Sequence, residues 1–314
     1  MGILRKDYIL ERWVYYAAER KNRRMEFKKE DEVVNNKICF FCPGNEHLTP
    51  PEIGRVEYKN TWKIRWFPNK FPAVELKGNA KLKAKNKFLK EGSTYGAHEV
   101  IAETNDHKKQ LWDLSINEIK EILDVYKLRI IELSKIKGIK YVTIFKNHGS
   151  AAGTSLVHSH TQVAALSVLP EEVMNEINAS KKYKKCPYCN VIKLEAKSKR
   201  KIAENKNIVA FAPFASRFNY EAWIFPKRHI KNITDMYDNE LYDIATALKK
   251  ILLKLKKLNA SYNFYFHYAP AGNDLHLHIE IAPRLAKFGG FEYSTGAIIN
   301  SVMPEDATKF YRGK

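Results

Sequence analysis

The chain has four cysteines, and they form two Cys-x-x-Cys pairs, a spacing that suits metal binding. Each pair offers two thiolates from one turn, and tetrahedral zinc then needs two more nitrogen or sulfur ligands from elsewhere in the chain. Histidines follow both pairs in the same order. The predicted sets are Cys39, Cys42, His107 and His158, and Cys186, Cys189, His229 and His276. Both sets are complete at four ligands, which indicates structural sites; the alternative is small core cysteines beside unrelated histidines.

The segment His158-Ser-His160 offers a second kind of chemistry. Residues two apart in a strand point to the same face, so a metal bound to His158 would fix the direction of His160. Neutral imidazole is a good nucleophile toward phosphorus. Gln162 follows on the same face and can donate a hydrogen bond to a phosphoryl oxygen where charge develops. The pattern predicts His160 as a nucleophile, against the alternative of an ordinary metal-binding or surface histidine.

A loop of small and hydroxyl residues, NHGSAAGTSLV at 147–157, precedes this segment. Such a loop, with Gly149 near its start, lets backbone N–H groups approach phosphate oxygens. The later His276-Leu-His278 segment has a shorter loop containing Asp274, and Glu280 stands where the first copy has glutamine. We therefore expect the second copy to lack catalytic residues. Its role is then structural, or it contacts the acceptor sugar.

The Cys-x-x-Cys and His-x-His segments each occur twice in the same order, which indicates an internal repeat that covers the whole chain. Ten-residue segments at 98–107 and 220–229 match in length, with Glu99 opposite Glu221. Amphipathic helices are predicted at 116–133 and 239–258, and strands at 141–145, 262–268 and 276–282. We predict an α+β fold of two tandem domains, residues 1–176 and 177–314, each an antiparallel sheet with packed helices.

Composition narrows the class of protein. The net charge is +19, which is compatible with a nucleic-acid or membrane partner, but the lysines are spread over several runs and indicate a lysine-rich surface. No apolar stretch is long enough for a membrane span, and the N-terminus lacks a signal-peptide pattern. We expect a cytoplasmic protein with no membrane and no nucleic-acid partner.

The stretch NHGSAAGTSLVHSHTQ at 147–162 resembles the signature of the galactose-1-phosphate uridylyltransferase family, a branch of the histidine-triad superfamily. The resemblance covers nearly the whole chain and implies histidine-triad-like domains. It implies His160 as the nucleophile, Gln162 as the phosphoryl stabiliser, Asn147 and Ser155 as phosphate-side contacts, and zinc on His158. Cys39, Cys42 and His107 match the family's remaining ligands at that zinc.

Shorter matches implicate further residues. The stretch WVYYAAERKNRR implies that Arg20 and Arg23 reach a phosphate, with an exposed basic helix end as the alternative. The stretch FPNKFPA implies nucleoside contacts from Asn69 and Phe71, and GGFEYSTG implies a hexose contact from Glu292. Because the family uses the last stretch across two subunits, the resemblance implies a homodimer.

The resemblance implies exchange of a nucleoside monophosphate between a nucleoside diphosphate sugar and a sugar 1-phosphate, with UDP-glucose and galactose 1-phosphate as the main prediction. Ser159 replaces the proline between the histidines of the common signature, and Lys70 replaces an aspartate. The histidine segment with serine resembles a sister branch of adenylyl-transferring sugar-nucleotide phosphorylases, which is the first alternative, and Lys70 leaves the identity of the base open. Dinucleotide hydrolysis and a zinc-stabilised nucleic-acid-binding protein are the others, although the latter gives Gln162 no role.

Overall fold

The computed structural model describes residues 3–10, 12–16 and 38–313. Arg20 and Arg23 lie outside the described residues. The strands are β1 (Ile3–Lys6), β2 (Trp13–Tyr16), β3 (Gly54–Tyr58), β4 (Thr61–Pro68), β5 (Lys83–Ala84), β6 (Lys90–Glu91), β7 (Gly96–Ala102), β8 (Tyr141–His148), β9 (His160–Leu166), β10 (Lys201–Glu204), β11 (Ile208–Phe211), β12 (Ala222–Pro226), β13 (Tyr262–His267), β14 (His278–Pro283) and β15 (Ile298–Asn300). The helices are α1 (Ile116–Ser134), α2 (Glu171–Ser180), α3 (Pro187–Glu195), α4 (Asp238–Lys257), α5 (Gly290–Thr295) and α6 (Pro304–Arg312).

One antiparallel sheet of ten strands runs through both halves of the chain, in the order β10-β11-β12-β14-β13-β8-β9-β7-β4-β3. Each half contributes five strands, and the two sets mirror each other outward from the central β8–β13 pair. The predicted α+β class, with an antiparallel sheet and packed helices in each half, is confirmed. The sequence did not predict that the two sheets are joined at their edges.

The two long helices lie where the apolar periodicity placed them. In α1, Ser115 and Glu118 form a reciprocal capping box, and in both helices the buried residues recur at three- and four-residue spacing. These stripes pack against each other and against the sheet, and one core cluster extends through both halves. The strand predictions also hold, although β8 continues to His148 and β14 begins at His278.

The register of the sheet corrects the repeat alignment. Val100 pairs with Gln162 in the first half, and Trp223 pairs with Glu280 in the second. Because Glu280 corresponds to Gln162, the counterpart of Glu221 is His98, and the predicted match of Glu221 with Glu99 is wrong by one residue. Glu99 instead faces α1 and binds Arg129 at 2.8 Å. A one-residue shift moves a side chain to the other face of the sheet, so the correction has chemical consequences.

The division at residues 176/177 stays a prediction, and α2 lies across it. A smaller sheet of β1, β2 and β15 packs beside the second half, where Arg5 and Glu305 form an ion pair at 3.1 Å. Within the described ranges, none of the helices combines the length and apolar character that a membrane span requires.

Candidate active site

The first predicted metal set comes together in space. The ligand atoms of Cys39, Cys42, His107 and His158 all lie within 4.8 Å of one another. The Sγ of Cys39 is 3.5 Å from Nδ1 of His158, and the Sγ of Cys42 is 3.4 Å from Nδ1 of His107. A tetrahedral zinc with ordinary bond lengths separates sulfur and nitrogen ligands by about 3.6 Å. The donor set therefore fits zinc.

The surroundings of these donors select the atoms that would bind metal. Nε2 of His158 donates to the carbonyl of Thr104 at 2.7 Å, which leaves Nδ1 free as a ligand. Burial lowers the pKa of His158 to about 4, so its ring is neutral. Burial and the neighbouring Cys39 raise the pKa of Cys42 to about 11 in the protein without metal. A bound cation would reverse that effect, because a metal favours the thiolate.

The second set, Cys186, Cys189, His229 and His276, forms an equally tight group. The Sγ of Cys189 lies 3.4 Å from Nδ1 of His229 and 3.6 Å from Nδ1 of His276. Nε2 of His276 donates to the carbonyl of Pro226, and Nε2 of His229 donates to Asp274 at 2.8 Å. Asp274, from the shorter loop of the second copy, is thus hydrogen-bonded to a predicted metal ligand.

His160 begins β9 directly after the first metal set. Its Nδ1 lies 2.8 Å from the carbonyl of His158, and because a carbonyl only accepts, Nδ1 carries the proton. Burial and the nearby Lys146 ammonium lower the pKa of His160. The ring is therefore neutral, with its lone pair on Nε2, which is the form that a nucleophilic imidazole requires.

A buried polar network lies under β9, on the face opposite His160. The ammonium of Lys146 binds Glu103 at 2.6 Å and donates to the backbone carbonyl of His160 at 2.9 Å. Glu103 also accepts the hydroxyls of Ser159, Thr161 and Tyr126. Ser159, the residue that departs from the family signature, is thus part of this network. Sequence reasoning did not single out Lys146 or Glu103, because they meet only through the pairing of β7, β8 and β9.

Gln162 sits two residues beyond His160 and is half-buried. Its Oε1 lies 3.4 Å from Nδ2 of Asn69, a predicted nucleoside contact, and 3.0 Å from Nε2 of His98. The structure therefore joins two predicted residues, Gln162 and Asn69. His98 was named only as the start of a repeat segment, and the register of β7 on β9 is the signal that places it here.

The remaining predicted contacts are distributed around this group. Asn147 accepts the Asn263 amide at 2.8 Å, which leaves its own amide nitrogen as a donor. Gly149 has φ +80° and a Cβ there would meet the Ser261 hydroxyl at 2.1 Å, so only glycine fits. Ser155 is exposed, and Phe71 is 83% exposed.

Glu292 lies on α5, which contacts β15 of the smaller sheet. Its carboxylate accepts the backbone N–H groups of Gly289 at 2.8 Å and Ile299 at 3.3 Å. Within this chain it therefore caps α5, and the predicted hexose contact across two subunits stays a prediction.

A third group of metal-competent side chains occupies the second half: Glu176, His267, His278 and Glu280, all buried. His278 is the counterpart of His160 and repeats its Nδ1 bond to a carbonyl, that of His276, at 2.9 Å. Glu176 comes from α2, which covers this face, and its Oε1 lies 2.8 Å from Nδ1 of His267. The sequence did not bring Glu176 or His267 into the site, since they reach it through long-range packing.

Known proteins resemble the chain over almost its full length. A family model described as galactose-1-phosphate uridyl transferase, N-terminal domain, matches residues 4–170, and a domain of unknown function matches residues 96–310. The ADP-glucose phosphorylase of Arabidopsis thaliana is 36% identical, covering 98% of this chain and 92% of that protein. The galactose-1-phosphate uridylyltransferase of Thermotoga maritima is 29% identical, covering 98% and 97%.

Solved structures agree with these sequence matches. The crystal structure of the Arabidopsis thaliana ADP-glucose phosphorylase with bound ADP-glucose superimposes with a TM-score of 0.86 at 34% identity, covering 100% of this chain and 99% of that one. The family model spans more than half of the chain, and it includes His160, Gln162 and the first metal set. The chain therefore belongs to the galactose-1-phosphate uridylyltransferase family.

Proposed function

We propose that the chain is a nucleotidyltransferase that moves a nucleoside monophosphate from a nucleoside diphosphate sugar to a sugar 1-phosphate, as a hexose-1-phosphate uridylyltransferase. The observation that carries the proposal is the state of His160. Its Nδ1 donates to the carbonyl of His158, so Nε2 offers a lone pair, and Gln162 lies on the same face of β9. Family membership and the uridylyltransferase relatives support the same reaction.

The reaction has two balanced steps. Nε2 of His160 attacks the α-phosphorus, and the bond from that phosphorus to the oxygen of the departing sugar 1-phosphate breaks. In the second step an oxygen of the acceptor phosphate attacks the nucleotidyl-histidine and the phosphorus–nitrogen bond breaks, which restores His160. Gln162, Ser155 and the loop N–H groups beyond Gly149 donate to the oxygens that gain charge.

Zn²⁺ is the metal that we propose for both Cys₂His₂ sets, because thiolates and imidazoles in a closed tetrahedral group suit it. Cys39, Cys42, His107 and His158 would hold one ion and Cys186, Cys189, His229 and His276 the other. The first ion would fix the direction from which β9 starts and takes no part in bond breaking. Cysteines that stay out of disulfides, as these four do, are typical of a reducing compartment, so we also propose a cytoplasmic location.

A second candidate reaction is adenylyl transfer with inorganic phosphate as acceptor. The observation that favours it is the match to the ADP-glucose phosphorylase, at 36% identity and a TM-score of 0.86. The chemistry at His160 would be the same, and only the base and the acceptor would differ.

We propose in addition that two copies form a dimer. Apolar side chains are exposed on the outer face of the smaller sheet and on α5, namely Leu4, Trp13, Tyr15, Phe291 and Tyr293. An apolar surface of this kind is typical of an interface. Sedimentation equilibrium should give twice the chain mass of 36.4 kDa; a single-chain mass at micromolar concentration would exclude the dimer.

The test of function is intact-protein mass after brief mixing with UDP-glucose or, separately, ADP-glucose, with an alkaline quench that preserves a nucleotidyl-histidine. A uridylyl adduct that galactose 1-phosphate discharges would support uridylyl transfer. An adenylyl adduct alone, discharged by phosphate, would favour the second candidate. No adduct from either donor, in protein with its metal bound, would contradict covalent transfer.

A further inference from the structure

The side chain of Asn69 has a fixed orientation because a backbone group defines it. The N–H of Phe71 lies 2.9 Å from Oδ1 of Asn69, and a backbone N–H can only donate. Oδ1 is therefore the acceptor and Nδ2 the donor. Nδ2 points to Oε1 of Gln162, at 3.4 Å.

A second backbone group fixes the tautomer of His98. The N–H of Ala73 lies 3.0 Å from Nδ1 of His98, so Nδ1 carries a lone pair. Burial lowers the pKa of His98 below its ordinary value, which keeps the ring neutral with its proton on Nε2. Nε2–H then donates to Oε1 of Gln162 at 3.0 Å.

Both donors therefore converge on one atom. Nε2 of His98 and Nδ2 of Asn69, 3.3 Å apart, share Oε1 of Gln162 as their acceptor. The orientation of the Gln162 amide is no longer free, since its oxygen is held toward β7 and the loop that follows β4. Its Nε2 group, with two protons, is the part left to face a ligand beside His160.

We propose that His98 is a positioning residue that orients the Gln162 amide and links it to the loop of residues 69–73, the predicted nucleoside contact. This inference rests on the proposed function, because Gln162 has a donor role only in phosphoryl chemistry. A nucleoside that orders the loop would thereby strengthen the arrangement that donates to the phosphoryl oxygens. His98 acts through Gln162 and does not itself touch the reacting atoms.

The second half supports this assignment by contrast. The counterpart of His98 is Glu221 and that of Gln162 is Glu280, and an ionised carboxylate at either position accepts hydrogen bonds instead of donating them. Arg217 lies against both carboxylates, 3.6 Å from Glu221 and closer to Glu280. A donor–acceptor relay in the first half is thus replaced by a charge cluster in the second.

The experiment measures the rate of nucleotidyl-enzyme formation by rapid quench, with UDP-glucose and ADP-glucose as separate donors. The proteins are the wild type, His98→Leu, His98→Gln, Gln162→Ala and the double variant His98→Leu/Gln162→Ala. In His98→Leu we expect the rate at saturating donor to fall roughly 10- to 100-fold, with the donor concentration at half-maximal rate changed by less than about threefold. His98→Gln keeps a donor near Nε2 and should recover most of the loss.

The double variant separates positioning from general structural support. If His98 acts only through Gln162, adding His98→Leu to Gln162→Ala should change the rate by less than about twofold. Additive losses, or a wild-type rate in His98→Leu, would overturn the inference while leaving the proposed function intact. A wild-type protein that forms no adduct with either donor would overturn both.

A measurement on the wild type keeps the inference testable if a variant fails to fold. Nitrogen-15 spectra of histidine-labelled protein should show His98 with Nδ1 unprotonated and Nε2 protonated near pH 7. Protonation at Nδ1 would remove the donor to Gln162 and overturn the assignment.

Discussion

The two halves of the sheet carry a histidine at the same place, but the exposure and the neighbours of this histidine differ between them. His160 is 8% exposed and lies on the same face of β9 as Gln162, whereas His278 is fully buried, 3.7 Å from Glu280 and under α2. The opposite face of the sheet differs in polarity as well. The polar residues Lys146, Ser159 and Thr161 of the first half correspond to the apolar residues Phe266, Leu277 and Ile279 of the second. The first half has polar side chains below the sheet and the proposed nucleophile, slightly exposed, above it. The second half has an apolar core below and buried charged side chains above.

The two halves therefore share the predicted metal sets and the strand frame, and they differ in the side chains around the histidine. Both histidines keep the Nδ1 bond to a carbonyl two residues earlier, so the tautomer is a property of the frame. The halves differ in the exposure of this histidine and in the side chains that neighbouring strands place around it. His278 packs between Tyr188 and Phe225, with ring centroids at 5.1 and 4.8 Å, which leaves no path for a nucleotide.

The largest expected effect concerns the polar support under His160. Lys146→Met would leave the Glu103 carboxylate buried without its cation, and breaking such a pair costs about 3–5 kcal/mol in the free energy of unfolding. The matched control is Lys201→Met, whose pair with Glu204 is about one-third exposed on each side. It should cost less than about 1 kcal/mol. Urea unfolding of both variants measures these costs. Equal losses of unfolding free energy would show that the buried pair contributes no more to stability than the exposed pair.

The next effect tests the face above. Gln162→Glu gives the first half the composition of the second at this position, and its carboxylate would repel the phosphate and remove a donor. We expect turnover to fall about 10²- to 10³-fold. The reverse change, Glu280→Gln, should leave turnover unaltered, because His278 stays covered. Steady-state rates of both variants test this prediction. A small fall in the turnover of Gln162→Glu would mean that loop N–H groups alone stabilise the phosphoryl oxygens.

The smallest effect is a dependence of stability on pH in the second half. Burial disfavours the charged ring of His267, but the Glu176 carboxylate outweighs it and raises the pKa of His267 to about 9. The stabilisation is fully present below the unfolded pKa of about 6.5, is lost as pH rises through about 9, and is on the order of 3 kcal/mol.

The variant His267→Asn places the residue of the first half, Asn147, at this position. The difference in unfolding free energy between wild type and variant should be largest near about pH 6 and shrink toward about pH 9.5. Denaturant titrations at both pH values measure it. A difference that stays constant over this range would show that His267 is not charged in the folded protein.

The sequence predicted what depends on local pattern and spacing. The eight predicted metal ligands lie in two groups of four, because a Cys-x-x-Cys turn and a His-x-His strand are fixed by short stretches of chain. The long helices and central strands followed from periodicity. The roles of His98, Lys146 and Glu176 did not, since each depends on strand register or on a helix packed from a distant part of the chain.

We propose that nucleotidyl transfer proceeds through His160 and not through its counterpart, His278. The most direct measurement is peptide mapping of the quenched protein after mixing with donor, in the wild type, His160→Gln and His278→Gln. We predict a nucleotidyl group on the peptide that contains His160, its loss in His160→Gln, and its retention in His278→Gln. A nucleotidyl group on the His278 peptide, or one that survives in His160→Gln, would contradict it.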